Sequence, residues 1–125
     1  MVSGGLAGEL VALAVLELWG WSVIDRQVDI AGHRLDALVT HERHGEHLVE
    51  VKTWLTVSGR DTVKKAIADA WDLWAMRKDG HEIPPYVLVL SEPMTGLHAD
   101  MLKRALEADA ISHVVIVPRP EGLPS

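Results

Sequence analysis

Two acids and a lysine in the middle of the chain, Asp36, Glu50 and Lys52, are the residues whose types and spacing could do chemistry. They sit in two apolar, β-branched runs, residues 35–39 and 48–54, on either side of Arg43-His44-Gly45. That pattern predicts an antiparallel hairpin. Side chains alternate along a strand, so Glu50, Lys52 and Trp54 share one face. Whether Asp36 joins them depends on the loop. A two-residue loop would set Asp36 opposite Thr53, with the wrong parity. A three-residue loop of Arg43-His44-Gly45 pairs Glu42 with Glu46, Leu38 with Glu50 and Asp36 with Lys52. Such loops favour a left-handed third residue, which Gly45 accepts without strain. The turn chemistry therefore selects a register that gathers Asp36, Glu50 and Lys52.

An apolar hairpin has no structural need for this set. Two carboxylates about 4 Å apart repel by roughly 4 kcal/mol at an effective dielectric of about 20. A hard divalent cation removes that cost, and carboxylate oxygens are the ligands Mg²⁺ prefers. The plainer alternative is a cross-strand ion pair of Asp36 with Lys52, with Glu50 in water. Such pairs are common and contribute only ~0.2–1 kcal/mol each.

Asp36 followed by Glu50-Val51-Lys52 resembles the D…(E/D)-x-K signature of the PD-(D/E)XK nucleases, the restriction-endonuclease-like superfamily. The layout is similar to that of its small single-domain members of the Holliday-junction-resolvase type. In those a glycine-acid pair opens the first helix, as Gly8-Glu9 does here, and the lysine strand reads much like Leu48-Val49-Glu50-Val51-Lys52-Thr53. Leu35 stands where the superfamily's name has a proline, a position that varies within it. The resemblance implies an α/β fold with an αβββαβαβ core and a mixed sheet flanked by helices. It also implies a Mg²⁺ site (Mn²⁺ as substitute) held by Asp36, Glu50 and the backbone carbonyl of Val51. Lys52 would contact the nucleophile or the phosphate. Glu9 would point across to the hairpin and hold a metal, a water or the lysine. Its structural alternative is a carboxylate favoured by the dipole in the first turns of a helix.

The elements that must position these residues follow from the rest of the chain. Ser3 or Gly4 can cap a helix running to about Trp19, with Gly20 as its stop. It is apolar nearly all round, which predicts burial on most sides, with Glu17 solvated near its end. Residues 21–30 read as the first strand, with Val23, Gln27 and Asp29 on one face and Ile24, Val28 and Ile30 mostly on the other. Strands at 33–42 and 46–54 complete a meander. His41, His44 and His47 surround the second turn. Three such residues could bind zinc or nickel, but His44 belongs to the turn, and a solvated hairpin tip is the favoured reading.

A helix is expected from Arg60 to Lys78, with Val63, Ala66, Ile67, Ala70 and Trp74 toward the sheet and Trp71 also in the core. Arg60, Lys64 and Lys65 cluster near its start, where free N–H groups make a phosphate site; a solvated charged face is the alternative. Trp54 could pack beside the cleft or stack on a base, with packing favoured. Tyr86-Val87-Leu88-Val89-Leu90 reads as a strand buried on both faces. Residues 95–108 read as an amphipathic helix with Leu97, Met101, Leu102 and Ala105 inward, and residues 111–117 as a last strand.

With 125 residues, 48% of them hydrophobic and 24% charged, the chain is expected to be one domain over 1–118 with a flexible tail at 119–125. The absence of cysteine excludes disulfides and thiolate-held zinc and suits a cytoplasmic setting. The apolar stretch 10–18 has no basic n-region and meets Glu9 and Glu17, so neither a signal nor a membrane segment is expected. The net charge of −6 argues against bulk electrostatic attraction to nucleic acid. Between Trp21 and Lys65, however, seven basic residues balance seven acids, so the excess lies in the flanks.

The expectation is a Mg²⁺-dependent endodeoxyribonuclease acting on DNA, directed by structure or by a partner. The alternative is a catalytically silent nuclease-fold module that binds DNA or scaffolds a repair or defence complex. One small domain offers little surface for base readout. Cutting both strands would require a symmetric homodimer or a recognition partner protein.

Overall fold

The computed structural model of the chain describes residues 4–53 and 60–118. Its elements are α1 (Gly4–Leu18), β1 (Trp21–Ile30), β2 (His33–His41), β3 (Gly45–Lys52), α2 (Arg60–Lys78), β4 (Tyr86–Leu90), α3 (Gly96–Glu107) and β5 (His113–Ile116). This is the αβββαβαβ order expected from the sequence. The strands form one five-stranded mixed sheet in the order β1-β2-β3-β4-β5. β1, β2 and β3 pair antiparallel, while β3, β4 and β5 pair parallel. The change of direction falls on β3, where antiparallel hairpins give way to helical crossovers. Trp54 and residues 119–125 lie outside the described residues.

Alternation sorts the sheet into two cores. Leu48, Tyr86, Leu88 and Leu90 point to one face, where they bury Val63, Ile67, Leu73 and Ala70 of α2 and Leu102 and Ala105 of α3. Val49, Val51, Val87 and Val89 point to the other, against Ala12, Leu13 and Leu16 of α1. The unbroken apolar run of β4 is therefore buried on both sides. Tyr86 donates its hydroxyl to the Ala66 carbonyl at 3.2 Å, so its one polar atom is satisfied inside the core. Arg77 donates to the carbonyls of Ile83 and Pro84, both at 2.9 Å, and so fixes the approach to β4. Trp71 and Trp74 are half-buried, and the Trp74 indole N–H donates to the Ala108 carbonyl at 3.1 Å. Leu97, in the first turn of α3, departs from its expected inward position and is exposed.

Two local features reset the register expected for the meander. Ile24 is an extra residue between the pairs Val23↔Val39 and Asp25↔Leu38, and this bulge shifts the register along β1. Val23 packs on the α1 side, where Gln27 also reaches Glu9, and Ile30 packs on the α2 side, the opposite faces expected for them, while Ile24 is half exposed. The β2–β3 loop is three residues long, but it is Glu42-Arg43-His44, with His41 paired to Gly45. Leu38 therefore pairs with Leu48, not Glu50, and the expected Asp36–Lys52 and Glu42–Glu46 pairs do not form. The shift is two residues, so the parity survives. Gly45 has φ +73°, the left-handed geometry that only glycine adopts cheaply, and it closes the ladder instead of ending the loop.

Candidate active site

The β2–β3 ladder stops at Ala37↔Val49. One step further, Asp36 comes opposite Glu50, and there a side chain takes over from the main chain. Asp36 Oδ2 accepts a 2.7 Å hydrogen bond from the Val51 backbone N–H, the bond a continuing strand would otherwise have supplied. The opening lies on the face shared with Leu48, toward α2. It forms a cavity of about 510 Å³ lined by Gly32, His33, Arg34, Asp36, Glu50, Lys52, Thr62, Lys65, Ala66 and Asp69. Asp36, Glu50 and Lys52 thus line one cleft.

The electrostatics of the cleft are dominated by the carboxylate pair. Glu50 is buried, and that burial pushes its carboxyl up to about 8, reinforced by the hydrogen-bonded, like-charged Asp36. Lys52 pulls the other way, with Nζ 3.9 Å from Glu50 Oε2. Without a cation the pair therefore holds a proton at neutral pH. Among the described residues no three His, Asp or Glu side chains converge to hold a metal ion. A cation here would rest on two carboxylates, with a main-chain oxygen and solvent completing the shell. That donor set, all hard oxygen and few in number, fits Mg²⁺, which keeps much of its hydration.

The other sequence-predicted residues are placed as follows. Glu9 is buried, but its carboxylate takes the Arg26 guanidinium at 2.7 Å and the Gln27 amide at 3.3 Å. It lies on α1, which packs against the valine face, and it does not line the acid cleft. Lys65 lines the cleft, whereas Lys64 is exposed outside it. The side chain of Arg60 and all of Trp54 lie outside the described residues.

Sequence reasoning passed over the rest of the lining. Ala31-Gly32 is a tight two-residue turn with φ +52° and +84°, as a type I′ hairpin turn requires. It folds His33 and Arg34 onto the cleft rim. His33 faces Asp69 at 3.4 Å and Asp72 at 3.0 Å, which ties the turn to α2. Thr62, Lys65 and Asp69 follow helical spacing and line the cavity together, so that signal was present. The histidine loop matches expectation at its tip and departs from it at its base. Residues 42–46, His44 among them, are exposed as expected of a solvated tip, but His47 is buried and His41 partly so, and all three rings pack around Trp21, at 5.0, 5.9 and 5.0 Å between centroids.

No protein-family model matches this sequence, and no curated protein does. Among solved structures the chain is similar to the Pyrococcus furiosus protein SfsA in complex with Ca²⁺, at 24% identity and a TM-score of 0.46. The match covers 87% of this chain and 52% of that one, so this chain spans about half the length of SfsA. No helix among the described residues is long and apolar enough to cross a membrane.

Proposed function

We propose that the chain is a metal-dependent nuclease that hydrolyses phosphodiester bonds in DNA, working in the cytoplasm with Mg²⁺ as its ion. The observation that carries this reading is the meeting of Asp36 and Glu50 across the end of the β2–β3 ladder, with Lys52 beside them in one cleft. Asp36, Glu50 and the Val51 carbonyl would hold the ion. When bound, a divalent cation supplies charge neutralisation for a phosphoryl group and lowers the pKa of water.

The chain's own residues do the rest. Burial of Glu50 against Asp36 keeps a proton on the pair in the absence of a cation, and a cation would take that proton's place as the neutralising charge. Lys52, partly exposed at the cleft, places an ammonium where a non-bridging phosphate oxygen or the pentavalent centre would gather charge. The same ammonium offsets carboxylate charge, so electrostatic support is its role here and not general base. Lys65, one face of α2 away, offers a second positive group for the phosphate on the flank. Arg60, Lys64 and Trp54 complete the proposed nucleic-acid surface. Glu9 contributes through Arg26 and Gln27, holding α1 to β1 beside the strand that carries Asp36.

The test is a cleavage assay on linear, nicked, branched and single-stranded DNA with Mg²⁺ or Mn²⁺, each with and without chelator. Metal-dependent cleavage of at least one form that disappears in Lys52→Ala supports the reading. Cleavage unaffected by chelator, or full activity in Lys52→Ala, overturns it. Mn²⁺ binding without cleavage of any form would instead indicate a silent module.

A further inference from the structure

The far end of the sheet carries a second cavity, of about 290 Å³, on the α1 face. Val39, Val49, Val87 and Val115, one from each of four adjacent strands, make its floor, with Leu16 of α1 beside them. Trp19 and Trp21 form its walls, and His41, His44 and His113 also line it. It lies away from the acid cleft in two respects. His41 ends β2 whereas Asp36 is near its start, about 16 Å along the strand, and the valines face α1 whereas Glu50 faces α2.

The chemistry of the lining narrows what could enter. No Asp, Glu, Lys or Arg lines the cavity among the described residues, so the enclosed part of a ligand carries no full charge. A purely aliphatic ligand would leave three imidazoles and two indoles without use. A metal ion is disfavoured, because no three ligating side chains converge. What remains is a flat neutral ring with polar edges. The rings are already arranged for stacking: His44 lies nearly parallel to Trp21, at 23° and 5.9 Å, and His41 is tilted against His44 at 4.6 Å. The His41 Nδ1 accepts the Arg43 backbone N–H at 3.0 Å, so that ring is fixed. His47 sits edge-on beneath Trp21, with its nitrogens facing the Gly45 carbonyl and the Ser112 hydroxyl. The ring nitrogens of His44 and His113 have no hydrogen-bond partner among the described residues, which leaves them free to meet a ligand's edge.

We infer that this cavity binds a nucleobase, stacked on the indole and imidazole rings over the valine floor, with its sugar and phosphate outside. The base is supplied either by a free nucleotide or by an unpaired nucleotide of a strand. The site is independent of the acid cleft and does not rest on the nuclease reading.

Isothermal titration of the intact chain with adenosine, guanosine, cytidine and thymidine, in the presence of EDTA, tests it. Saturable one-to-one binding of at least one nucleoside is expected, with no binding of ribose 5-phosphate. His44→Ala and His113→Ala each weaken that binding by about tenfold, the scale of one lost ring contact. Val115→Phe, which fills the floor, abolishes it. A parallel titration with the 5′-monophosphate and with a short single-stranded oligonucleotide identifies the source by which binds more tightly. The inference is overturned if no nucleoside saturates at millimolar concentration. It is equally overturned if binding survives His44→Ala, His113→Ala and Val115→Phe unchanged.

Discussion

At one end of the β2–β3 hairpin the ladder stops at Ala37↔Val49 and two carboxylates face each other. At the other end it closes through His41↔Gly45, and three histidines gather on Trp21. Both ends bury ionisable groups, and burial disfavours charge at each, with opposite consequences for pH. The Glu50 carboxyl is raised to about 8 by burial and by Asp36. The His47 imidazole is lowered, chiefly by burial and further by the charges of His113, His44 and Arg77, against the raising effect of the Gly45 carbonyl. A buried acid resists losing its proton, and a buried base resists gaining one. The same two strands thus carry an end relieved by a cation and an end that must stay neutral.

The sharpest way to break this comparison is to remove one carboxylate. Asp36→Asn or Glu50→Gln should lower Mg²⁺-dependent cleavage by more than roughly a hundredfold, measured as initial rates at saturating metal. Both variants should keep the native circular dichroism spectrum. Full cleavage in either would separate the acid pair from the chemistry.

Stability against pH tests the two ends together. In the metal-free protein Glu50 holds its proton in the folded state up to about 8 but loses it near 4.5 when unfolded. The folded state therefore binds more protons across that window, so Glu50 makes stability fall as pH rises from about 4.5 to 8, by up to a few kcal/mol. His47 acts in the reverse sense. Its folded value lies below 6.5, so the unfolded state binds the extra proton and stability falls as pH drops below about 6.5. Urea denaturation across pH in EDTA should show an alkaline limb above about pH 6.5, where Glu50 is unopposed by His47, and a flatter profile below it, where the two oppose each other. Glu50→Gln should flatten the alkaline limb, and added Mg²⁺ should do the same to the wild type.

The hydrogen bond that ends the ladder separates charge from structure at the acid end. Asp36→Ala strands the Val51 N–H and should cost about 1–3 kcal/mol, whereas Asp36→Asn keeps an acceptor in place and should cost clearly less. Equal losses in the two, read from denaturation midpoints, would mean that this bond is not what holds the strand ends. At the histidine end the matching test is Gly20. Its φ of +95° and the His41 Nε2 atom, 3.1 Å from where a Cβ would stand, predict that Gly20→Ala costs about 1–2 kcal/mol. A neutral substitution there would show that His41 has room to give way.

The sequence carried the element order because each segment announces itself locally. Arg60–Lys78 and Tyr86–Leu90 were legible to the residue, one from helical spacing and the other from an apolar run too short for a helix. The odd-numbered β2–β3 loop was legible as well, and odd parity is enough to place Asp36 on the face of Glu50 and Lys52. The exact pairing was not legible. A three-residue loop can slide by two along the chain without changing any side chain's face, and in the observed position Trp21 meets His41, His44 and His47.

Composition, periodicity and residue type, then, determined an α/β chain with two acids and a lysine on one side of a hairpin. Three things were settled only in three dimensions. The Ile24 bulge shifts the β1–β2 register, Glu9 is given to Arg26, and the ladder breaks at Ala37↔Val49, which turns a shared face into a cleft. Each depends on contacts between residues distant in the chain, such as α1 against β1 and α2 against the Ala31-Gly32 turn. No local pattern encodes which of several compatible partners a buried charge will meet. Packing makes that choice, because a carboxylate taken out of water settles wherever the assembled fold offers a donor.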